Sequence, residues 1–259
     1  MTAGISGVVL AGAVKFFGTQ LHQQRQQGFR IEAQQAARSS LDAVTRDLRL
    51  AGACLPSDGQ FIALGGANIP GGDSITIRTG LVRTNMSCII TTLTAGVAAG
   101  TSALPVQSGS GFVTGMLGYI KHPNGSGEIV PVANANATTV TFTAPMSQDY
   151  PVGTGVYAID ERTYAVDKSN PSLPVLTLTV NRALPEAFAA GVADFQIDYV
   201  LDRHCPTCDR VPLPANTAEW RLVNEVALSA TVQTVGGVQP QDQAMLVVSS
   251  MAKPRNLLP

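Results

Sequence analysis

Four cysteines, Cys54, Cys88, Cys205 and Cys208, are the residues of this chain best suited to chemistry. An even number of cysteines in a chain rich in small residues indicates disulfides formed in an oxidising compartment. Three pairings are possible. We favour Cys54–Cys88 together with Cys205–Cys208, because these are the most local choices.

The Cys205-Pro206-Thr207-Cys208 segment has the spacing of a redox disulfide or of half a zinc site. A redox pair usually begins a helix, whose dipole lowers the thiol pKa, whereas the residues on both sides of this segment indicate a loop. A zinc ion would need a fourth ligand besides His204 and the two thiols. We therefore favour a disulfide-closed surface loop, and we predict no metal and no cofactor.

The sequence contains no recognisable catalytic motif that would indicate an enzyme. The three histidines, His22, His122 and His204, stand in different local settings, and no nucleophile elbow accompanies them. The sequence also has no phosphate loop, dinucleotide fingerprint or EF-hand spacing. We predict a protein without catalytic residues.

Two pairs of carboxylates and a single tryptophan remain as candidates for binding. The pairs Asp160-Glu161 and Asp198/Asp202 are expected at exposed strand edges rather than on a metal ion. Trp220 is expected in a core or an interface rather than in a stacking platform.

The overall composition excludes some classes of partner. The chain has 259 residues and a formal net charge of −1, so there is no electrostatic reason to expect nucleic acid as a partner. Hydrophobic residues make up 45% of the chain, which is unlike a disordered composition, while charged residues make up only 14%. Abundant Gly, Thr, Val and Pro favour many short strands and turns.

The first residues predict a helix with an apolar beginning. The chain is uncharged before Lys15, over 14 residues, which is fewer than the roughly 20 that a helix needs to cross a bilayer. The segment is not typical of a secretory signal, because no basic residues precede it. We assign its larger apolar residues to contacts with membrane or filament: Ile5, Val8, Val9, Leu10, Val14, Phe16 and Phe17.

The same helix is predicted to continue to Leu50 and to become amphipathic. Apolar residues recur at steps of three and four from Phe29 onward, and Leu41, Val44 and Leu48 belong to this stripe. A charged face is predicted beside the stripe at Arg38, Asp42, Arg46, Asp47 and Arg49. A helix from Ala3 to Leu50 would be roughly 70 Å long. Its first half, to about Gln24, must therefore project, and its second half from Phe29 packs on the head.

Beyond Gly52 the pattern predicts strands separated by turns rich in Gly and Pro. The segment 93–157 is predicted to be a β-rich elaboration. The predicted strands are Ser74–Thr79, Ser87–Thr92, Gly118–Lys121, Glu128–Val132, Thr138–Phe142, Val156–Asp160, Thr163–Val166, Val175–Val180, Phe195–Leu201, Glu225–Val232 and Ala244–Ser249.

Several segments carry a resemblance to a known family. The helix end Ser40–Gly52 (SLDAVTRDLRLAG), the segment Gly191–Asp202 (GVADFQIDYVLD), the strand Val223–Val232 and the tail Ala252–Leu258 are similar to corresponding segments of type IV pilin-like subunits. The chain most resembles PilW-type minor pilins, which are related to the minor pseudopilin J of type II secretion. The region between Leu93 and Tyr157 is covered weakly.

The resemblance implies an α+β, type IV pilin-like fold, in which a long N-terminal helix packs on an antiparallel sheet. It divides the chain into the helix, residues 1–52, and a β-rich globular head, residues 53–259. Prepilins of this family carry a basic leader, a Gly-Phe cleavage junction and a glutamate near the mature N-terminus, and none is present here. We expect that the chain is truncated or that its start codon is misassigned.

The implied function is that of a minor pilin that takes part in starting pilus assembly and in the tip complex. Its partners would be other minor and major pilins, reached through the N-terminal helix, with a tip adhesin as a further candidate. It would lie in the bacterial inner membrane before assembly and then in the pilus. The alternatives are a type II secretion minor pseudopilin and an anchored extracellular β-rich binding or adhesion module.

Overall fold

The computed structural model describes residues 2–56, 61–202, 209–233 and 245–254. Within these residues lie two helices, α1 (Thr2–Leu50) and α2 (Thr217–Arg221). The same residues contain fourteen strands: β1 (Leu64–Ala67), β2 (Ser74–Gly80), β3 (Ile90–Thr92), β4 (Ala103–Pro105), β5 (Leu117–Lys121), β6 (Gly127–Ala135), β7 (Thr139–Phe142), β8 (Gly155–Asp167), β9 (Val175–Val180), β10 (Glu186–Ala190), β11 (Val192–Leu201), β12 (Asp209–Val211), β13 (Val223–Gln233) and β14 (Met245–Ala252).

Helix α1 contains 49 residues, which corresponds to roughly 70 Å at 1.5 Å per residue. The sequence allows this length because it has no proline before Pro56. The helix ends where Gly52 adopts a left-handed conformation with φ of +77°, which glycine tolerates best. The N–H of Gly52 then donates to the carbonyl of Arg78 over 2.9 Å, so the end of the helix is fixed to β2.

The larger sheet is antiparallel and contains ten of the strands in the described residues. Its main path has the order β1-β2-β8-β5-β6-β7-β4, while β3 and β9 pair with β8 and β10 pairs with β9. The first half of β8 pairs with β3 and β5, and its second half pairs with β2 and β9. Strand β8 therefore connects the part of this sheet that contains β2 and β9 with the part that contains β3 and β5.

The smaller sheet is also antiparallel and has the order β12-β11-β13-β14 in the described part of the chain. Side chains of β11 and β13 alternate between buried and less buried, as expected for a sheet with one face in a core. The second half of α1 covers this buried face, in contact with β13 and β14 and also with β10 and β2.

Buried apolar side chains form three clusters. The first joins α1 to the smaller sheet and to Ile75, Ile77, Tyr164 and Leu176 of the larger sheet. The second lies within residues 89–158, and the third is a small cluster of Leu117, Tyr119 and Ile159. The segment 93–157, which was expected to be a β-rich elaboration, therefore contributes most of the second cluster.

The expected fold class, α+β with a type IV pilin-like fold, is wrong. The chain is mostly β, and the strands form two antiparallel sheets rather than one sheet with an insertion. The physical reason is that β11, β13 and β14 pair with one another and not with β8, so the C-terminal strands form a separate layer under α1.

Most predicted strands correspond to observed ones, with two kinds of difference. The predicted strands Val156–Asp160 and Thr163–Val166 are parts of the single strand β8, because the charged residues between them continue the pairing. Strands β1, β4, β10 and β12 were not predicted. They are three to five residues long, and β1 contains two glycines, so their local pattern was too short to recognise.

Candidate functional site

The second half of α1 is joined to the head by an apolar stripe. Ala37, Leu41, Val44 and Leu48 are buried in the first core cluster, among side chains of both sheets. Their spacing of three and four residues keeps them on one face of the helix. The side chain of Phe29, which was assigned to the same contact, lies outside the described residues.

A buried carboxylate lies beside this stripe. Asp47 accepts a hydrogen bond from the Tyr164 hydroxyl over 2.7 Å and another from Nη1 of Arg162 over 3.0 Å. Asp47 was predicted to belong to the charged face beside the stripe, whereas the structure buries it, because the helix turns this residue toward β8. Burial, and then the hydrogen bond to Asp47, raise the pKa of Tyr164, so its hydroxyl stays protonated and continues to donate.

A second buried carboxylate, Glu161, lies next to Arg162 on β8 and contacts two arginines. Arg78 Nε donates to Glu161 over 2.6 Å and Arg182 Nε donates to it over 3.0 Å. Burial by itself would raise the pKa of Glu161, but Arg78 and Arg182 outweigh that effect and hold the pKa below its usual value. Glu161 therefore stays charged and links β8 to β2 and to the β9–β10 turn.

The expectation that Asp160 and Glu161 lie at an exposed strand edge is also wrong. Strand β8 has neighbours on both sides, and Glu161 is buried among them. Asp160 accepts from Nε of Arg162 over 2.8 Å. Both carboxylates therefore have arginine partners, which is what charges inside a sheet require.

The first half of α1 has a different environment. The side chains that the structure describes between Lys15 and Ile31 are all exposed. Phe16 and Phe17 are the largest of them, with exposed fractions of 61% and 65%, and their rings contact each other at 6.1 Å between centroids. Two aromatic rings in water on a helix mark a surface that can bind apolar partners. The side chains of Ile5, Val8, Val9, Leu10 and Val14 lie outside the described residues.

A shallow groove runs between α1 and β14. Its volume is about 370 Å³, and it is lined by Gln34, Arg38, Leu41 and Asp42 of the helix and by residues 247–250 of the strand. Between the same two elements, the Thr45 hydroxyl lies 3.1 Å from the Ser250 hydroxyl. This is the one direct side-chain hydrogen bond between α1 and β14 in the described residues.

A disulfide follows the helix directly. Cys54 is bonded to Cys88, as predicted, and closes a loop of 34 residues. The bond connects the turn after α1 to the segment that leads into β3 and the second core cluster. Cys205 and Cys208, which were expected to form the second disulfide, lie outside the described residues.

The remaining predicted residues have separate contacts in the described part of the chain. His122 sits in the turn between β5 and β6, where its Nδ1 accepts from the N–H of Asn124 over 3.1 Å. Asp198 lies 3.7 Å from Nη1 of Arg210 on the neighbouring strand. Trp220 packs edge to face on Tyr199 at the rim of the first core.

The described residues contain neither a helix suited to crossing a membrane nor a cluster of metal ligands. None of the helices there combines the length and the apolar character that crossing a membrane requires. In the same residues, His, Cys, Asp and Glu form no group of three that could hold a metal ion.

No protein-family model matches this chain, and no curated protein matches it either. The family resemblance carried by the segments 40–52, 191–202, 223–232 and 252–258 therefore stays a prediction, and so does the function that it implies.

Sequence reasoning missed the arginine partners of the buried carboxylates. Arg78 belongs to β2 and Arg182 follows β9, two strands in which apolar residues alternate with small polar ones, and Arg162 lies in the middle of the long strand β8. A charge in such a strand needs an opposite charge nearby when the strand is internal. The run Asp160-Glu161-Arg162 inside a long strand pattern was therefore a usable signal for a buried network.

Proposed function

We propose that this chain is a non-catalytic minor pilin of a type IV pilus, which takes part in starting pilus assembly and in the tip complex. The observation that carries the proposal is helix α1. One face of its second half is buried in the head, whereas the described side chains of its first half, Phe16 and Phe17 included, face solvent. Support also comes from the four segments that resemble PilW-type minor pilins, and not from the fold of the head.

Exposed aromatic and apolar side chains on a projecting helix are removed from water only by an apolar partner. Helices of other pilins provide such a partner in a filament, and a membrane provides one before assembly. The cost of moving between the two is small, because one apolar environment replaces another. We accordingly place the chain at the bacterial inner membrane first and near the pilus tip afterwards, with pilins as partners.

The test replaces both aromatic residues, Phe16→Glu and Phe17→Glu, in the full chain expressed in its own bacterium. The amount of the chain in sheared pili, and its co-purification with other pilins, should fall on the order of tenfold or more, since two charges oppose transfer into an apolar helix bundle. Surface piliation or twitching should fall as well.

The matched control places glutamates at exposed apolar positions of the head, Met86→Glu and Leu184→Glu, whose side chains are also largely in water. These changes should leave incorporation unchanged, and retention of the Cys54–Cys88 disulfide reports that each variant folds. Normal piliation of the Phe16/Phe17 variant would refute the proposal. Co-purification with secretion pseudopilins alone would refute it in favour of the type II secretion alternative.

A further inference from the structure

Strand β14 is an edge strand without the usual protection against pairing. Among the described residues it pairs only with β13 and forms the end of the smaller sheet. An edge strand presents unpaired N–H and C=O groups along its outer side, and natural proteins normally block such edges. Short length, charge, proline and bulges are the common means of blocking.

Four other strands at the margins of the two sheets use these means. Strand β1 has four residues with two glycines, and β4 has three residues with Pro105. Strand β12 has three residues that include Asp209 and Arg210, and β10 carries a register shift between Ala187 and Ala189. Each of these features shortens or interrupts the strand edge with which a further strand could pair.

Strand β14 has none of these features. It pairs with β13 over eight consecutive positions, from Met245 to Ala252, without a register shift. Its sequence, MLVVSSMA, contains no charge, no proline and no glycine. Val247 and Met251 on its outward face are 65% and 51% exposed. The strand is therefore long, regular and uncharged, as a site for strand addition must be.

We propose that the outer edge of β14, which pairs with no other strand in the described residues, binds an extended strand of another protein that adds a fifth strand to the smaller sheet. The occupant is uncharged along the edge, because no charge on β14 would compensate one. It carries apolar side chains opposite Val247 and Met251 and polar side chains toward the groove, where Gln34, Arg38 and Asp42 line the helix side. The inference builds on the proposed function in identifying the occupant as a pilus or tip component and in preferring another protein to a second copy of this chain.

A second copy of this chain fits the site less well than another protein. Two β14 strands that paired antiparallel about a two-fold axis would place their α1 helices antiparallel on the same face of the joined sheet. Subunits whose projecting helices bundle together need those helices to run in one direction. A strand from a different protein imposes no such constraint.

The experiment uses a photo-reactive amino acid placed in turn at Val247, Met251 and Val152 of the full chain in its own bacterium. Val152 is the matched control, because it is 64% exposed and lies outside the smaller sheet. We expect Val247 and Met251 to cross-link to one and the same partner segment. Their attachment points should be about four residues apart, because paired strands advance equally.

Two lysine substitutions test the edge itself, with the photo-reactive residue now at Ser249. The pair Val247→Lys and Met251→Lys should lower the cross-link about tenfold, since lysine side chains on an edge strand disfavour the addition of a further strand. The control pair Val152→Lys and Met86→Lys should leave the cross-link unchanged. All four side chains are exposed, so the head should still fold.

The outcomes separate this inference from the proposed function. Attachment points scattered over the partner, adducts to copies of this chain alone, or a yield no greater than that from Val152 would each overturn strand addition at β14. Cross-links with the four-residue spacing would support strand addition at β14 even if the Phe16/Phe17 variant still assembles. In that case the proposed pilin role alone would be refuted.

Discussion

Individual charged residues hold the helix and the central strand in place. Asp47 joins α1 to β8 through Arg162 and Tyr164, and Glu161 joins β8 to Arg78 and Arg182. Each carboxylate receives two side-chain hydrogen bonds, at least one of them from an arginine, so its charge is compensated in a place with little water. Such pairs cost desolvation when they form, and removing one partner destabilises more than the pair stabilises.

The substitution Glu161→Gln tests this at the level of one residue. Because Arg78 would lose its opposite charge, we expect the free energy of unfolding at pH 7 to fall by about 2 kcal/mol. The pKa of Glu161 is lowered in the folded protein, so its contribution is fully present above the ordinary value near 4.5 and is lost as the pH falls through the lowered value. Denaturant unfolding at a series of pH values measures the difference between the two proteins.

That difference should be constant above about pH 5.5 and should shrink in acid. Glu186→Gln is the control, because Glu186 is exposed on the edge strand β10 and its replacement should change little. A difference that grows as the pH falls would contradict the assignment of Glu161 as a charged partner of Arg78.

At the level of elements, the decisive contact is between the second half of α1 and the smaller sheet. The stripe from Ala37 to Leu48 is buried, and Ser250 of β14 meets Thr45 at its side. The helix continues for more than thirty residues before this stripe. A helix held firmly at one end can present its other end to partners without disturbing the head.

The substitution Leu41→Ala should weaken that contact. A leucine buried this completely costs about 3 kcal/mol when it is truncated to alanine, since apolar contacts are lost and a cavity remains. The control Leu50→Ala changes an exposed leucine of the same helix and should cost under about 0.5 kcal/mol. Equal losses for the two variants, measured by denaturant unfolding, would show that α1 is not fixed through this stripe.

At the level of the whole molecule, two large cores are connected by few elements. Strand β8 contributes Tyr164 to the first core and Val156 and Ala158 to the second. The Cys54–Cys88 disulfide is a second connection, from the end of α1 to the margin of the second core. The two connections make the cores parts of one head rather than independent units.

Replacing both cysteines, Cys54→Ser and Cys88→Ser, should lower the free energy of unfolding by about 4 kcal/mol, because a closed loop of 34 residues restricts the unfolded chain. Hydrogen exchange should show the loss of protection first in β3, which follows Cys88 directly. Cells that keep thiols reduced should give the same effect for the unchanged protein. Unaltered stability of the double variant would contradict this role of the disulfide.

The sequence by itself determined the features that depend on near neighbours. The three-to-four spacing of Leu41, Val44 and Leu48 predicted their common face, and the alternation at Ser74–Thr79 predicted β2. The Cys54–Cys88 pair was also found, as one of the most local choices. Such patterns are readable because helices and strands impose fixed periods on the chain.

Only the tertiary structure decided the features that depend on distant parts of the chain. Glu161 and Arg78 are 83 residues apart, and Asp47 and Arg162 are 115 apart, so no local pattern marks them as partners. The same holds for the division into two sheets and for the position of β14 at an edge. A strand has the same alternation in the middle of a sheet and at its margin, and what differs is which distant strand lies beside it.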